Sequence, residues 1–159
     1  MTARADAWGG QEHRLFHMGT NYRNAREIFD YAAAVVRTEV PDADIPEAVR
    51  ETGIPPREGS LGELAVDAVA AEVARLGEEV DGTIAVITPR RYAAALAGLD
   101  GSAQGRVRVL DPLSTKGLEW DATVVVDPDE IVRESPGGIR TLYVVLTRAA
   151  HRMSVLRSQ

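Results

Sequence analysis

The chain contains no cysteine among its 159 residues, which excludes disulfides, thiolate zinc sites and thiol nucleophiles. Histidine is nearly as scarce: His13, His17 and His151 are too few and too scattered to form a metal centre. Aromatic residues make up only 5%, so a core has to be built mostly from Ala, Val, Leu and Ile. No apolar run approaches the roughly 20 residues that cross a bilayer as a helix, and residues 1–11 lack the apolar stretch of a secretion signal. A cytoplasmic protein with no membrane partner is the default expectation. A phosphate-gripping loop of the form G-x-x-x-x-G-K-[ST] is missing as well, because Lys116-Gly117 follows Ser114-Thr115 rather than the required glycine. Alone, this chain is expected not to hydrolyse ATP.

What is present suits one globular domain with a single sizeable core, since 45% hydrophobic and 26% charged residues is an ordinary balance. A net charge of −6 argues against a globally basic nucleic-acid binder. The distribution is less one-sided, because residues 140–159 hold Arg140, Arg148, Arg152 and Arg157 and no acidic residue. That run reads either as a solvated basic face or as an anion-facing surface.

Residues 1–12 read as a flexible lead-in and 13–159 as the domain. Arg14 to Met18 suits a short strand, followed by turn and N-cap residues at Gly19-Thr20-Asn21. From Tyr22 to about Val36, apolar residues at Ala25, Ile28, Phe29, Ala32, Val35 and Val36 keep helical spacing. Pro41, Pro46, Pro55 and Pro56 mark 39–59 as a connecting loop. Ser60-Leu61-Gly62-Glu63 has capping-box spacing. The helix it opens is expected to bury Leu61, Leu64, Ala65, Ala68, Val73 and Leu76 and to stop near Gly77.

Thr83 to Thr88 reads as a buried strand, and Thr88-Pro89 as the start of a helix reaching about Gly98, with the proline at its first position. Arg106 to Leu110 alternates in polarity, whereas Ala122 to Asp127 begins with a continuous apolar run, the mark of a central parallel strand covered on both faces. Ile139 to Ala150 has helical spacing with Leu142, Val145, Leu146 and Ala149 on one side, and Met153 to Leu156 is expected to close the sheet. Strands interleaved with helices predict a layered α/β domain with a mostly parallel sheet flanked by helices.

Three segments carry chemistry-bearing residues. The segment between the strands at 106–110 and 122–127 leaves a C-terminal strand end, where open parallel sheets bind ligands. Within it, Gly117 permits close backbone approach, and Lys116 and Glu119 offer a cation and an acceptor; a solvated surface turn is the alternative. Arg148, late in the expected final helix, lies at the margin of the buried stripe, free to meet a phosphate bidentately or a surface carboxylate. Tyr22-Arg23, at the start of the long helix, suits stacking on a ring and contact with an anion. Asp127 resembles a Mg²⁺-binding strand end, but Pro128 interrupts the pattern and no phosphate loop accompanies it.

Taken in order, Asn21-Tyr22-Arg23, Lys116-Gly117-Leu118-Glu119 and Leu142-Tyr143-Val144-Val145-Leu146-Thr147-Arg148-Ala149 resemble the second RecA-like domain of superfamily 1 helicases of the UvrD/Rep type. The compact spacing resembles the HelD-like branch most closely. The resemblance implies a RecA-like three-layer domain whose ATP site lies in the cleft with an upstream first RecA-like domain, which would carry the phosphate loop and the Mg²⁺ ligands. Tyr22 would stack on the base and Arg23 reach the γ-phosphate. Glu119 would bond near the ribose, Lys116 and Gly117 would shape the loop, and Arg148 would be the arginine finger.

UvrD-type enzymes also carry a Thr and a His ahead of this loop to hold single-stranded DNA, where this chain has Asp111 and Leu113. A carboxylate facing a phosphate backbone is unfavourable, so single-stranded DNA is expected as a weakened partner. The resemblance therefore implies the C-terminal motor domain of an ATP-dependent DNA helicase or translocase. The alternative is a motor-derived module that docks on RNA polymerase, as HelD-like proteins do. A third reading is an unrelated flavodoxin-like domain whose motif matches are accidental.

Overall fold

A computed structural model describes residues 21–41, 48–50, 54–115 and 119–158; side chains are described for all of these except 21–24 and 48–50. The lead-in, the strand expected at 14–18, and residues 116–118 lie outside the described residues.

The centre is a five-stranded, wholly parallel sheet in the order β3-β7-β6-β4-β5. Its strands are β3 (Arg57–Ser60), β4 (Ile84–Ile87), β5 (Val107–Leu110), β6 (Trp120–Val126) and β7 (Ala149–Arg157). A separate parallel pair joins β1 (Asn21–Ala25) to β2 (Ala48–Arg50). The helices are α1 (Arg26–Glu39), α2 (Ala65–Glu79), α3 (Arg90–Leu96), a single turn α4 (Ser102–Gly105), α5 (Pro128–Glu134) and α6 (Ile139–Leu146).

Period-two alternation along the strands builds two cores. Ala85, Ile87, Val125, Met153 and Val155 pack on one face with α1, α5 and α6. Ile84, Val86, Ala122, Val124, Val126 and Leu156 pack on the other with α2 and α3. β4 is apolar throughout, and β6 is buried on both faces from Ala122 to Val126, with Thr123 its one polar residue there. The edge strand β5 is buried only at Val107, in keeping with its alternating sequence.

Several expectations need correction. Residues 21–25 form a strand rather than a helix start, because tertiary pairing with β2 overrides the helical spacing of the apolar residues; α1 begins only at Arg26, with no side-chain cap. The segment 39–59 is not simply a loop, since it contributes β2 and part of β3. Ser60 ends β3, and its Oγ accepts from the Gly62 amide at 3.1 Å instead of capping a helix. Gly62 sits at φ +65°, which delays α2 until Ala65 and leaves Leu64 exposed. The helix continues past Gly77 to Glu79, and the Arg106 guanidinium donates to the Val80 and Gly82 carbonyls at its end. Pro89 takes the N-cap of α3 rather than its first turn.

Helix α5 was not foreseen, although Asp-Pro-Asp-Glu is a helix-start signal with an N-cap acid and a proline after it. Asp127 is that N-cap, fully buried, at φ +48°. Finally, α6 stops at Leu146 and β7 starts at Ala149. The Thr147 hydroxyl lies within bonding distance of the Tyr143 and Val144 carbonyls, closing the helix before the alanines pair with β6.

Charged side chains tie the layers. Val69, Glu72, Val73 and Leu76 form the buried stripe of α2, so a carboxylate sits where a hydrophobe would ordinarily be. Glu72 accepts from Ser154 Oγ at 2.7 Å, Arg75 at 2.9 Å and Arg57 at 3.1 Å. Burial works to raise its pKa, but Ser154, Arg75 and Arg57 outweigh it and hold the carboxyl below its ordinary value of 4.5. At the other end of β7, Arg157 donates to the Tyr31 hydroxyl at 3.0 Å and pairs with Glu58 and Asp129. Burial, followed by the Glu58 carboxylate, pushes the Tyr31 phenol up to about 12.

Because Glu72 binds its proton less readily in the folded chain than in the unfolded one, its contribution is complete above about pH 4.5 and is lost as pH falls through the lower folded value. Thermal melts across the acid range should show this slope in the parent chain and a weaker one in Glu72→Gln. Glu72→Ala should cost roughly 2–3 kcal/mol by urea denaturation, below the ~3–5 for wholly buried pairs, since Arg57 and Arg75 reach solvent.

Candidate functional site

At the C-terminal ends of the strands, α3 connects β4 to β5 on one face and α5 with α6 connects β6 to β7 on the other. The winding therefore reverses between β4 and β6, where doubly wound sheets ordinarily hold ligands. Here that crevice is closed by the protein's own groups. The Tyr92 hydroxyl donates to Asp127 Oδ2 at 3.2 Å, and the Arg90 amide at the start of α3 donates to Glu134 Oε1 at 3.1 Å. Burial, then the Asp127 charge, raises the Tyr92 phenol above its ordinary value, so it stays a donor. Two carboxylates at this edge disfavour a phosphate. The Asp127 that resembled a metal ligand is committed as a helix cap.

The opposite edge holds what the sequence singled out. The Trp120 amide, first in β6, donates to the Arg148 carbonyl, just before β7, at 3.0 Å. Glu119 and Arg148 are thus brought together at the N-terminal ends of two adjacent strands. Glu119 is exposed and Arg148 half-buried. The segment 111–119 leaves β5 at its C-terminal end but enters β6 at its N-terminal end, so Glu119 is not at the C-terminal edge expected for it.

Arg148 is likewise not in a helix; it occupies the turn between α6 and β7. Its Nε donates to Val144 O at 2.8 Å and a terminal nitrogen to Thr147 Oγ1 at 3.2 Å. These contacts lay a cation on the carbonyl end of α6, where the helix dipole favours it. Beneath it, burial raises the Tyr143 phenol while the Arg148 charge lowers it, with burial dominant. Tyr143 packs edge-on against Phe29, with ring centroids 6.5 Å apart.

The ladder beside this turn is irregular: Trp120 pairs with Ala149 but Ala122 with Arg152, leaving one extra residue in β7. Bulges of this kind recur next to functional sites because they re-aim side chains. The Trp120 indole Nε1 is buried and without an acceptor among the described residues; no sequence signal marks it.

Tyr22 and Arg23 lie in β1, not at a helix N-terminus, and their side chains are outside the described residues, as are Lys116 and Gly117. Asp111 Oδ1 and Oδ2 accept from the Ser114 amide and hydroxyl, both at 2.9 Å, fixing the 3₁₀ turn Pro112–Thr115, while Leu113 is 67% exposed. The basic run is not one anion-facing surface: Arg152 pairs with Glu79, and Arg157 with Glu58 and Asp129. Among the described residues no group of three or more His, Asp or Glu is arranged to hold a metal, and no helix is long and apolar enough to cross a membrane.

Comparison with solved structures fixes the architecture. The chain is similar to the crystal structure of the C-terminal domain of a possible DNA helicase from Lactobacillus plantarum WCFS1, with a TM-score of 0.62 and 21% identity over 86% of this chain and 87% of that one. The fold is RecA-like. No family model and no curated protein matches the chain.

Asp127→Ala removes the α5 cap and the Tyr92 acceptor from a left-handed residue. It should cost about 2 kcal/mol in chemical denaturation, whereas Asp127→Asn, which tolerates that conformation, should cost less than half as much.

Proposed function

We propose that this chain is the second RecA-like domain of an ATP-dependent DNA helicase or translocase, completing an ATP site in the cleft with a first domain that carries the phosphate loop and the Mg²⁺ ligands. The observation that carries this reading is the bond from the Trp120 amide to the Arg148 carbonyl, which makes neighbours of Glu119 and Arg148. The likeness to a helicase C-terminal domain over most of both chains supports it.

Arg148 is the arginine finger in this reading. Two of its acceptors, a carbonyl and a hydroxyl, are neutral, and exchanging those two for phosphate oxygens substitutes charge-assisted bonds for weaker ones. A positive charge held there counters the charge that develops in phosphoryl transfer. Glu119 contacts the ribose region, and Lys116 and Gly117 shape the loop before it. Tyr22 stacks on the base and Arg23 reaches the γ-phosphate. Bound ATP supplies the phosphoryl group; the chain's own residues orient it and balance its charge.

A second reading, with a protein such as RNA polymerase in place of DNA as the main partner, is favoured by 111–113. There Asp111 is spent on its own turn and Leu113 is exposed, so neither offers a donor to a phosphate backbone. Strong stimulation of turnover by single-stranded DNA would count against this reading; co-purification with polymerase without such stimulation would favour it.

The chain alone should show no ATP turnover. Joined to the phosphate-loop domain of its parent protein it should turn over ATP, and Arg148→Ala should then lower the rate by about 10³–10⁵ while far-UV circular dichroism stays unchanged. Undiminished turnover in that variant would overturn the arginine-finger assignment.

A further inference from the structure

We propose that Asp100 and Gly101 stand in for a further strand beside β5, and that the edge they cover is a pairing surface for a second copy of this chain. The inference is independent of the nucleotide reading, since none of its residues is assigned to that site.

Among the described residues β5 ends the sheet on its side, with β4 as its one neighbouring strand. The Ile84 and Thr88 amides donate to the Arg106 and Leu110 carbonyls at 2.9 and 3.0 Å. Backbone groups alternate along a parallel ladder, so the amides and carbonyls of Val107 and Val109 face away from β4. A row of that kind is a template for another chain. Here it is covered. The Gly101 amide donates to the Val107 carbonyl at 2.7 Å, and the Val109 amide donates to Asp100 Oδ1 at 2.8 Å. One donor and one acceptor set against residues two apart are what a single residue of a parallel neighbour supplies. Asp100 provides the acceptor from its side chain instead of its backbone.

The cover is itself held. Arg108 Nε donates to the same Asp100 oxygen at 3.1 Å. The Val109 amide first, and Arg108 second, hold the carboxyl below its ordinary value of 3.8, so it remains an acceptor at neutral pH. The chain then reverses within a turn where Gly101, Ala103, Gln104 and Gly105 all have positive φ, from +53° to +86°. Alanine and glutamine avoid that backbone, and such strain persists only where surrounding bonds impose it. The Gly105 amide donates to the Gly101 carbonyl at 3.0 Å, and the Ser102 hydroxyl to the Leu99 carbonyl at 2.6 Å.

Uncovered, this edge is complementary to itself. With Val109 of one copy opposite Val109 of the other, antiparallel pairing about a twofold axis lets each amide meet the other's carbonyl. In that register Arg108 lies opposite Leu110 of the other copy, so like charges do not meet. The two five-stranded sheets would then join into one.

Three variants of the chain test this. Asp100→Ala removes the acceptor, and Asp100→Asn keeps a carbonyl oxygen in its place. Asp100→Ala/Val109→Pro also removes the covered amide, a change that an edge strand accepts where the N–H faces outward. In sedimentation velocity over a concentration series, Asp100→Ala should dimerise as concentration rises. The parent chain, Asp100→Asn and the double variant should stay monomeric. At low concentration, amide hydrogen exchange at Val109 should speed up by about tenfold or more in Asp100→Ala while Val86 in β4 is unchanged. Fast exchange at Val109 in a variant that stays monomeric throughout would overturn the pairing surface, and unchanged exchange would overturn the cover. Dimers of the double variant or of Asp100→Asn, formed as readily as those of Asp100→Ala, would also sink the proposal, because the contact would not run through the Val109 amide and its cover. Should Asp100→Ala speed exchange at Val86 as well, Arg108→Gln decides instead, since it loosens the carboxylate without removing it. Faster exchange at Val109 together with dimers would then support the proposal, and the lack of either would overturn it.

Discussion

The parallel pairing of β6 with β7 is the constraint on which the rest of the structure depends. It runs from Trp120 to Val126 against Ala149 to Leu156, and its central residues are sealed from water on both faces. Because this pairing lies mid-sheet, both faces need helices, and α1, α5 and α6 on one side and α2 on the other supply them. The same ladder decides where the chemistry-bearing residues go. Glu119 precedes β6 and Arg148 precedes β7, so parallel registration of the two strands necessarily brings these residues to one edge. A one-residue slip would turn every buried side chain of either strand to the wrong face, and the register is therefore held by burial rather than by the site.

Much of this was legible in the sequence wherever burial was two-sided. Ile84-Ala85-Val86-Ile87 is a continuous apolar run and Ala122 to Val126 is one apart from Thr123, and runs of that kind have few alternatives to a central parallel strand. Reading failed where a residue's neighbours lie far away in the chain. Ala149-Ala150-His151-Arg152 has helical propensity, but β6 claims it, which moved Arg148 out of the helix assigned to it. Asn21 to Ala25 is likewise claimed by β2. Ser60 and Glu63 have the spacing of a capping box, but Gly62 between them takes a left-handed φ that no continuing helix turn contains. The Lys116–Glu119 segment was legible as the loop leaving a strand, and Arg148 as a residue at the margin of a buried stripe. Their closeness was not found from spacing, since strand order cannot be read from periodicity.

Charge shows a similar division between pattern and partner. The four arginines of the last twenty positions look like one basic surface in the sequence. In the fold, Arg140 lies in α6 and Arg148 in the turn before β7, and β7 sends Arg152 toward α2 and Arg157 toward α1, β3 and α5. Asp111, which looked like an obstacle to nucleic acid, is occupied as the acceptor for Ser114. Sequence runs of like charge predict a surface potential only if the element carrying them points them the same way. A strand does not.

The two edges of the sheet differ in what they can accept, and this difference is the physical argument for a domain that works as half of a site. At the C-terminal edge, Asp127 and Glu134 occupy the donors that a phosphate would seek, and Tyr92 closes the gap between them. At the N-terminal edge, Arg148 donates to the Val144 carbonyl and the Thr147 hydroxyl of its own turn, which orient it across the end of α6. Resting on the end of α6 limits the freedom the guanidinium has to lose when an anion arrives. One charge at a strand end can balance a developing phosphoryl charge, but it cannot cradle three phosphates or hold a metal. A fold that closes its usual ligand crevice and keeps a poised cation on the opposite edge is therefore suited to complete a phosphate site built mainly by another domain.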